Sequence, residues 1–174
     1  LVCLVGSEMC IRDRYRCLSK TIFSASSLLK ILNDEICETT SRGMFVTMIV
    51  GVYDKNKNEL LLANAGHEPP LIFSKDGNFK TIDEAGPPLG IAPNFKFAEQ
   101  IISFKESSMY IFTDGITEMK NNNGEMLGQE GFQDYIKKYQ TTPNNKRLQK
   151  MIEDLISSGR IQKDDLTIVT VDGN

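Results

Sequence analysis

Two acidic positions sit where metal-assisted chemistry could be done. Asp114 directly follows the apolar run 109–113 and is itself followed by Gly115. Asp164 and Asp165 directly precede a second apolar run, 166–171. Runs so rich in β-branched and aromatic residues read as strands, and carboxylates at the ends of buried strands can converge at one edge of a sheet. Oxygen donors of this kind suit Mg²⁺ or Mn²⁺ rather than zinc. Gly115 would let the backbone or a bound water come close. The same residues also read as turn-formers, because Asp-Gly is a common turn dipeptide. His67, the one histidine, lies in the loop-like stretch 64–70. It would serve as a general acid or phosphate contact, or as a loop histidine bonded to backbone. Glu118 would orient Asp114 or stand as a solvated charge, and Arg42 would bind an anion or decorate the surface. Nothing in the chain matches a nucleophile elbow, a P-loop or a dinucleotide fingerprint.

These residues need elements to position them. Leu29, Leu32 and Ile36 fall at helical spacing, so a helix is expected over 26–40 with Ser26 or Ser27 as its N-cap. The run 44–53 is apolar on both alternating faces and reads as a strand covered on both sides. Residues 59–65 run back against it as a hairpin. Residues 70–74 and 79–82 form another hairpin, turned by Asp76-Gly77. A Gly/Pro loop spans 85–92. Further strands are expected at 97–104, 108–113 and 166–171. A short helix is expected at 129–139. The clearest helix is 143–158, capped by Thr142 and stopped at Gly159, with Leu148, Met151, Ile152, Leu155 and Ile156 as its apolar stripe. Antiparallel strands in the middle followed by two helices and a strand argue an α+β layered domain, not a parallel βαβ sheet.

The chain has 174 residues, 40% of them hydrophobic and 25% charged, which bounds it to one ordinary globular domain. Its formal net charge of −3 makes it a poor non-specific nucleic-acid binder. No apolar run approaches the ~20 residues of a membrane span. Cys3, Cys10, Cys17 and Cys37 form no CxxC pair. Zinc is therefore a weak reading, and free thiols in a reducing cytoplasm are expected. Residues 1–14 look foreign to the rest and closely resemble the peptide obtained when sequencing-adapter DNA is translated. They are expected to be non-native, with 15–174 as the C-terminal part of one domain; the alternative is a native helix with irregular apolar spacing.

Several motifs occur in fixed order: Met44-Phe45-Val46-Thr47; Asn64-Ala65-Gly66-His67 with Pro69-Pro70-Leu71; Gly86-Pro87-Pro88-Leu89-Gly90-Ile91; Tyr110 through Glu118; Gly124-Glu125 with Gly128; and Asp164-Asp165-Leu166-Thr167. Together they resemble the bacterial metal-dependent serine/threonine phosphatases of the stage II sporulation protein E type, relatives of the protein phosphatase 2C (PPM) family. The resemblance covers about residues 15–171. It implies two antiparallel sheets packed face to face with helices outside, and two Mn²⁺ or Mg²⁺ ions at one edge. Asp114 and Asp164 would be metal ligands. Gly115, Glu118, Asp165 and His67 would support those ligands or face the substrate.

The implied reaction is phosphomonoester hydrolysis by a metal-activated water attacking in line with the leaving seryl oxygen. No catalytic side chain is required beyond that water. The implied partner is a phosphorylated anti-anti-sigma-like protein, with a sensor domain upstream and no nucleic acid. The family's early acidic motifs, Gly-Asp-Tyr-Asp and Asp-Val-Ser-Gly-His-Gly, are missing here, and with them the carboxylate that bridges both ions. Glu68 also replaces the residue more usual after the histidine. The chain as given is therefore expected to be inactive, with unpaired sheet edges where its first strands should lie. The competing readings are a catalytically dead module that only binds a partner and a globular domain without metal chemistry.

Overall fold

The computed structural model describes residues 7–21, 24–39, 45–83 and 85–173, with side chains from Asp13 onward. Arg42, Met44 and Cys3, with the side chain of Cys10, lie outside the described residues. Cys17 and Cys37 are free thiols. The chain divides into two compact units, neither continuous in sequence: 1–69 with 83–105, and 70–82 with 106–174.

The first unit opens with α1 (Ser7–Leu18) and α2 (Ala25–Thr39). The expectation of a foreign segment over 1–14 thus falls partly on helix. Strands β1 (Met48–Asp54) and β2 (Glu59–Ala65) follow. The unit's third strand, β5 (Gln100–Ser103), comes later in the chain; the sheet order is β1-β2-β5, all antiparallel. Helix α2 lays Leu28, Leu29, Leu32 and Ile36 against Val50, Ala63, Ala65, Leu89 and Phe97. Each of the leucine, isoleucine, valine and phenylalanine side chains, fully buried, is worth roughly 1.5–3 kcal/mol.

Several sequence expectations are corrected here. β1 is not covered on both faces: Val50 is buried on one, while Gly51 and Tyr53 on the other are exposed. The doubly covered strand is β2, where Leu60, Leu62, Ala63, Asn64 and Ala65 are all buried. The strand expected over 97–104 shrinks to β5. The cap of α2 is also misassigned. Ser24 Oγ accepts the Ser27 N–H (3.2 Å), and the Glu99 carboxylate, distant in sequence, accepts Ala25 N–H (2.9 Å) and the hydroxyls of Ser24 and Ser26 (3.2 Å each). With no acidic residue in its own first turn, α2 takes its negative end charge from Glu99.

The second unit holds β3 (Leu71–Ser74), β4 (Phe79–Thr81), β6 (Ser107–Phe112), α3 (Asp114–Thr117), α4 (Gly128–Lys138), α5 (Asn144–Ser157) and β7 (Ile168–Asp172). Its sheet order is β4-β3-β6-β7, again antiparallel throughout. Leu71 and Phe73 on β3, with Tyr110 and Phe112 on β6, alternate onto the face that packs Phe132 and Ile136 of α4 and Met151 and Leu155 of α5. The Phe132 ring lies 4.8 Å from Phe112 and meets Tyr110 edge-on at 6.5 Å.

Helix α5 differs from expectation in two ways. Pro143, not Thr142, is its N-cap, and no side chain caps it. Its buried stripe is Arg147, Met151 and Leu155, while Ile156 is 57% exposed. Arg147 occupies an apolar position because the guanidinium finds partners there: it donates to Tyr110 Oη (3.0 Å), Ser108 Oγ (3.2 Å) and Asp172 Oδ1 (3.1 Å). The helix does stop at Gly159, whose φ of 75° suits glycine. Two antiparallel sheets with their flanking helices are thus the observed architecture.

Candidate functional site

The site is built from the end of the β6–β7 ladder. The two strands pair from Ser108↔Asp172 to Phe112↔Ile168. The ladder then continues as side-chain and backbone bonds. Thr113 N–H donates to Thr167 O (3.1 Å), Thr167 N–H donates to Thr113 Oγ1 (3.1 Å), and Thr113 Oγ1 donates to Asp165 O (3.1 Å). Thr113 also serves as N-cap of α3 in extended conformation, with φ −90° and ψ 156°. Asp114 begins that helix, where a carboxylate is favoured by the helix dipole. The Asp-Gly pair that also reads as a turn is therefore a helix start.

Gly115 explains why the two acidic motifs can meet. A Cβ on Gly115 would lie 2.5 Å from Asp165 O and 3.4 Å from Asp164 O. The close approach expected at this glycine is thus made by the backbone of the other acidic motif. Segments some 50 residues apart in the chain are locked together at one strand end.

The side chains around this corner are open to solvent: Asp114, Glu118, Asp164 and Asp165 are all exposed. Asp164 Oδ1 accepts the N–H of Asp165 (2.7 Å), and Asp164 O accepts Gln162 Nε2 (3.0 Å). Asp114 O accepts Glu118 N–H (2.8 Å) and Thr117 Oγ1 (3.1 Å), which closes the single turn of α3. The donors are hard carboxylate oxygens of the type that divalent cations prefer. Their number is short, however. Among the described residues no three His, Cys, Asp or Glu side chains gather where they could hold a metal ion. The described residues offer oxygen donors of the right chemistry for part of a divalent-metal site and do not make a complete two-ion centre.

His67 belongs to the first unit. Asn64, 2% exposed, holds its loop by accepting His67 N–H and donating to His67 O, both at 2.9 Å. The half-buried imidazole lies with Nδ1 3.3 Å from Thr47 Oγ1. Asn64 was not legible as the loop's clamp; its position next to Gly66-His67, as an Asx-type turn former, was the available signal.

A model of the family described as stage II sporulation protein E (SpoIIE) matches residues 9–173. The phosphoserine phosphatase RsbU of Bacillus subtilis is 27% identical over 157 residues, which cover 88% of this chain and 47% of RsbU. Among solved structures, the SiaA-PP2C domain of Pseudomonas aeruginosa superposes with a TM-score of 0.81 at 14% identity, covering 95% of this chain and 68% of that one. The manganese-presoaked phosphatase domain of SpoIIE from Bacillus subtilis gives 0.63 at 19% identity, covering 98% and 75%. The chain spans only 28–47% of the length of the curated relatives it matches. No helix among the described residues is long and apolar enough to cross a membrane.

Proposed function

From the premise that this chain belongs to the stage II sporulation protein E family, we propose that residues 15–174 are the C-terminal part of a serine/threonine protein phosphatase domain. Its substrate is phosphoserine or phosphothreonine on a small anti-anti-sigma-like regulatory protein in the cytoplasm, under control of an upstream sensor domain. Asp114 and Asp164 are the ligands this chain contributes to a Mn²⁺ or Mg²⁺ centre. Asp165 and Glu118 orient them, and His67 faces the substrate.

The observation that carries the reading is the lock at Gly115, which brings Asp114 to the backbone of the Asp164-Asp165 motif. Exposed carboxylates carried by two backbone segments that meet at one strand end are a sound beginning for a cation site. Without a third, bridging carboxylate they hold two divalent ions poorly. The 174-residue chain is therefore proposed to have little or no activity.

The test has two arms. Phosphate release from p-nitrophenyl phosphate and from a phosphoserine peptide is measured for this chain with and without Mn²⁺, and background rates are expected. Robust Mn²⁺-dependent turnover would overturn the inactivity. Mn²⁺ binding is then followed by calorimetry, with weak binding expected that falls at least tenfold in Asp114→Asn and in Asp164→Asn. Unchanged affinity in both variants would remove these residues from the site. A longer protein carrying native upstream sequence is expected to turn over phosphoprotein. If it binds the phosphoprotein without hydrolysis, the binding-module reading replaces this one.

A further inference from the structure

Beyond the acidic corner, the chain builds a small ribbon whose outward face carries two exposed apolar side chains about a half-buried lysine. Lys120 forms antiparallel bridges to Met126 on one side and to Ile161 on the other. Ile161 N–H donates to Lys120 O (2.8 Å) and Lys120 N–H to Ile161 O (3.3 Å). The hairpin is closed by Asn121, whose Oδ1 accepts the N–H groups of Asn123 and Glu125, both at 3.0 Å. Leu127 N–H donates to Met119 O (2.8 Å). Arg160 reaches across to the carbonyls of Met119 (3.4 Å) and Glu125 (3.5 Å). The ribbon is therefore hydrogen-bonded throughout and is not a loose loop.

Its two faces differ. Met119 and Leu127 are buried at 1% and 8% exposure and anchor the ribbon in the core of the second unit. Side chains alternate along a strand, and bridged partners share a face. Lys120, Met126 and Ile161 therefore project together on the opposite face. Met126 and Ile161 are each 54% exposed. Two strand spacings of ~4.8 Å set them about 10 Å apart, with Lys120 between. Lys120 makes no ion pair among the described residues. An ammonium group between two exposed aliphatic side chains is complementary to a carboxylate between two apolar side chains.

The position connects the face to the chemistry. Ile161 lies three residues before Asp164, a chain reach of at most about 10 Å. Lys120 lies six residues after Asp114, a reach of at most about 20 Å. A protein that delivers a phosphoserine to the acidic corner meets this ribbon beside it. Resting on the phosphatase reading above, we infer that the Met126–Lys120–Ile161 face docks the phosphoprotein substrate through an acidic side chain flanked by aliphatic ones.

The inference is tested on the whole 174-residue chain by NMR, with the Met and Ile methyls and the backbone labelled. One probe is a phosphoserine peptide carrying Leu-Glu-Leu; the other is the same peptide with Ser-Lys-Ser in its place. The first should shift the Met126 and Ile161 methyls and the Lys120 amide, with affinity at least tenfold above the second. Lys120→Glu should reverse that preference while its spectrum stays folded. Equal binding of the two peptides, shifts confined to other surfaces, or a preference that survives Lys120→Glu would overturn the proposal. So would shifts at this face that grow with protein concentration in the absence of peptide, which would make it a self-association surface. Line broadening by Mn²⁺ around Asp114 and Asp164, recorded on the same sample, reads the metal corner separately. Docking and metal binding can then fail independently.

Discussion

Gly115 is the single residue on which the candidate site depends most directly. Its missing side chain leaves room for the Asp165 carbonyl, which would otherwise lie 2.5 Å from a Cβ. The obstructing atom is backbone, and Thr113 Oγ1 already holds that carbonyl at 3.1 Å, so the neighbour cannot step aside without breaking the corner. Gly115→Ala is accordingly expected to destabilise the protein by about 1–3 kcal/mol, the usual range for overpacking. The readout is the urea unfolding midpoint, and Mn²⁺ affinity should fall in parallel. A variant as stable as the parent would show that the corner can relax. The pattern strand–Asp–Gly was readable from sequence as a place of close approach. What approaches was not readable, because the partner carbonyl comes from a segment some 50 residues away and sequence spacing carries no information about register between strands.

At the scale of elements, the same divide recurs. Helix α2 was legible because Leu29, Leu32 and Ile36 repeat at helical spacing, and all three are buried. Asn33 sits among them at 0% exposure and was invisible, since a polar residue in an apolar stripe looks like an interruption. Its amide instead binds the Gly/Pro loop: Asn33 Oδ1 accepts Gly90 N–H (3.0 Å) and Nδ2 donates to Ala92 O (2.8 Å). Next to it, Asp34 Oδ1 accepts Asn94 N–H (2.8 Å). Asn33→Ala should leave a backbone donor and acceptor without partners and cost about 2–4 kcal/mol. Hydrogen exchange at Gly90 should quicken with it. A loss under 0.5 kcal/mol would mean that water replaces the amide. Arg147 on α5 teaches the same lesson, for a buried guanidinium at an apolar position is intelligible only once Tyr110, Ser108 and Asp172 are seen around it. Strand boundaries drifted for a related reason. Apolar content placed a strand over 97–104, but only Gln100–Ser103 pairs along β2, with Phe104 N–H adding one bond to Asn58 O (2.8 Å) beyond the ladder. Hydrogen-bond partners, not composition, end a strand.

At the scale of the molecule, the two units interleave in sequence, because 70–82 contributes β3 and β4 to a sheet completed by residues after 106. Neither unit can be excised with one cut, since β3 lies between β4 and β6. A property of the whole chain is its response to acid. Hydrogen bonds from the Lys30 ammonium and the Asn94 N–H hold the Asp34 carboxyl below its ordinary value. Asp154 is lowered chiefly by its hydrogen bond from Lys138, and Asp76 by those from Asn78. A lowered carboxyl means that the unfolded chain takes up protons first. Stability from these groups is complete above the ordinary Asp value of about 3.9 and is lost as pH falls through the lower folded values. All three sit near the surface, where salt screening limits what each contributes. The urea midpoint should therefore stay level from about pH 8 to 5 and decline below about pH 4, with the decline shallower in 1 M salt. The double variant Asp34→Asn, Asp154→Asn should start lower at pH 7 and decline less, because its folded and unfolded states then differ less in proton uptake. A midpoint that rises on acidification, or a double variant with the parent's slope, would place the acid sensitivity in other carboxylates.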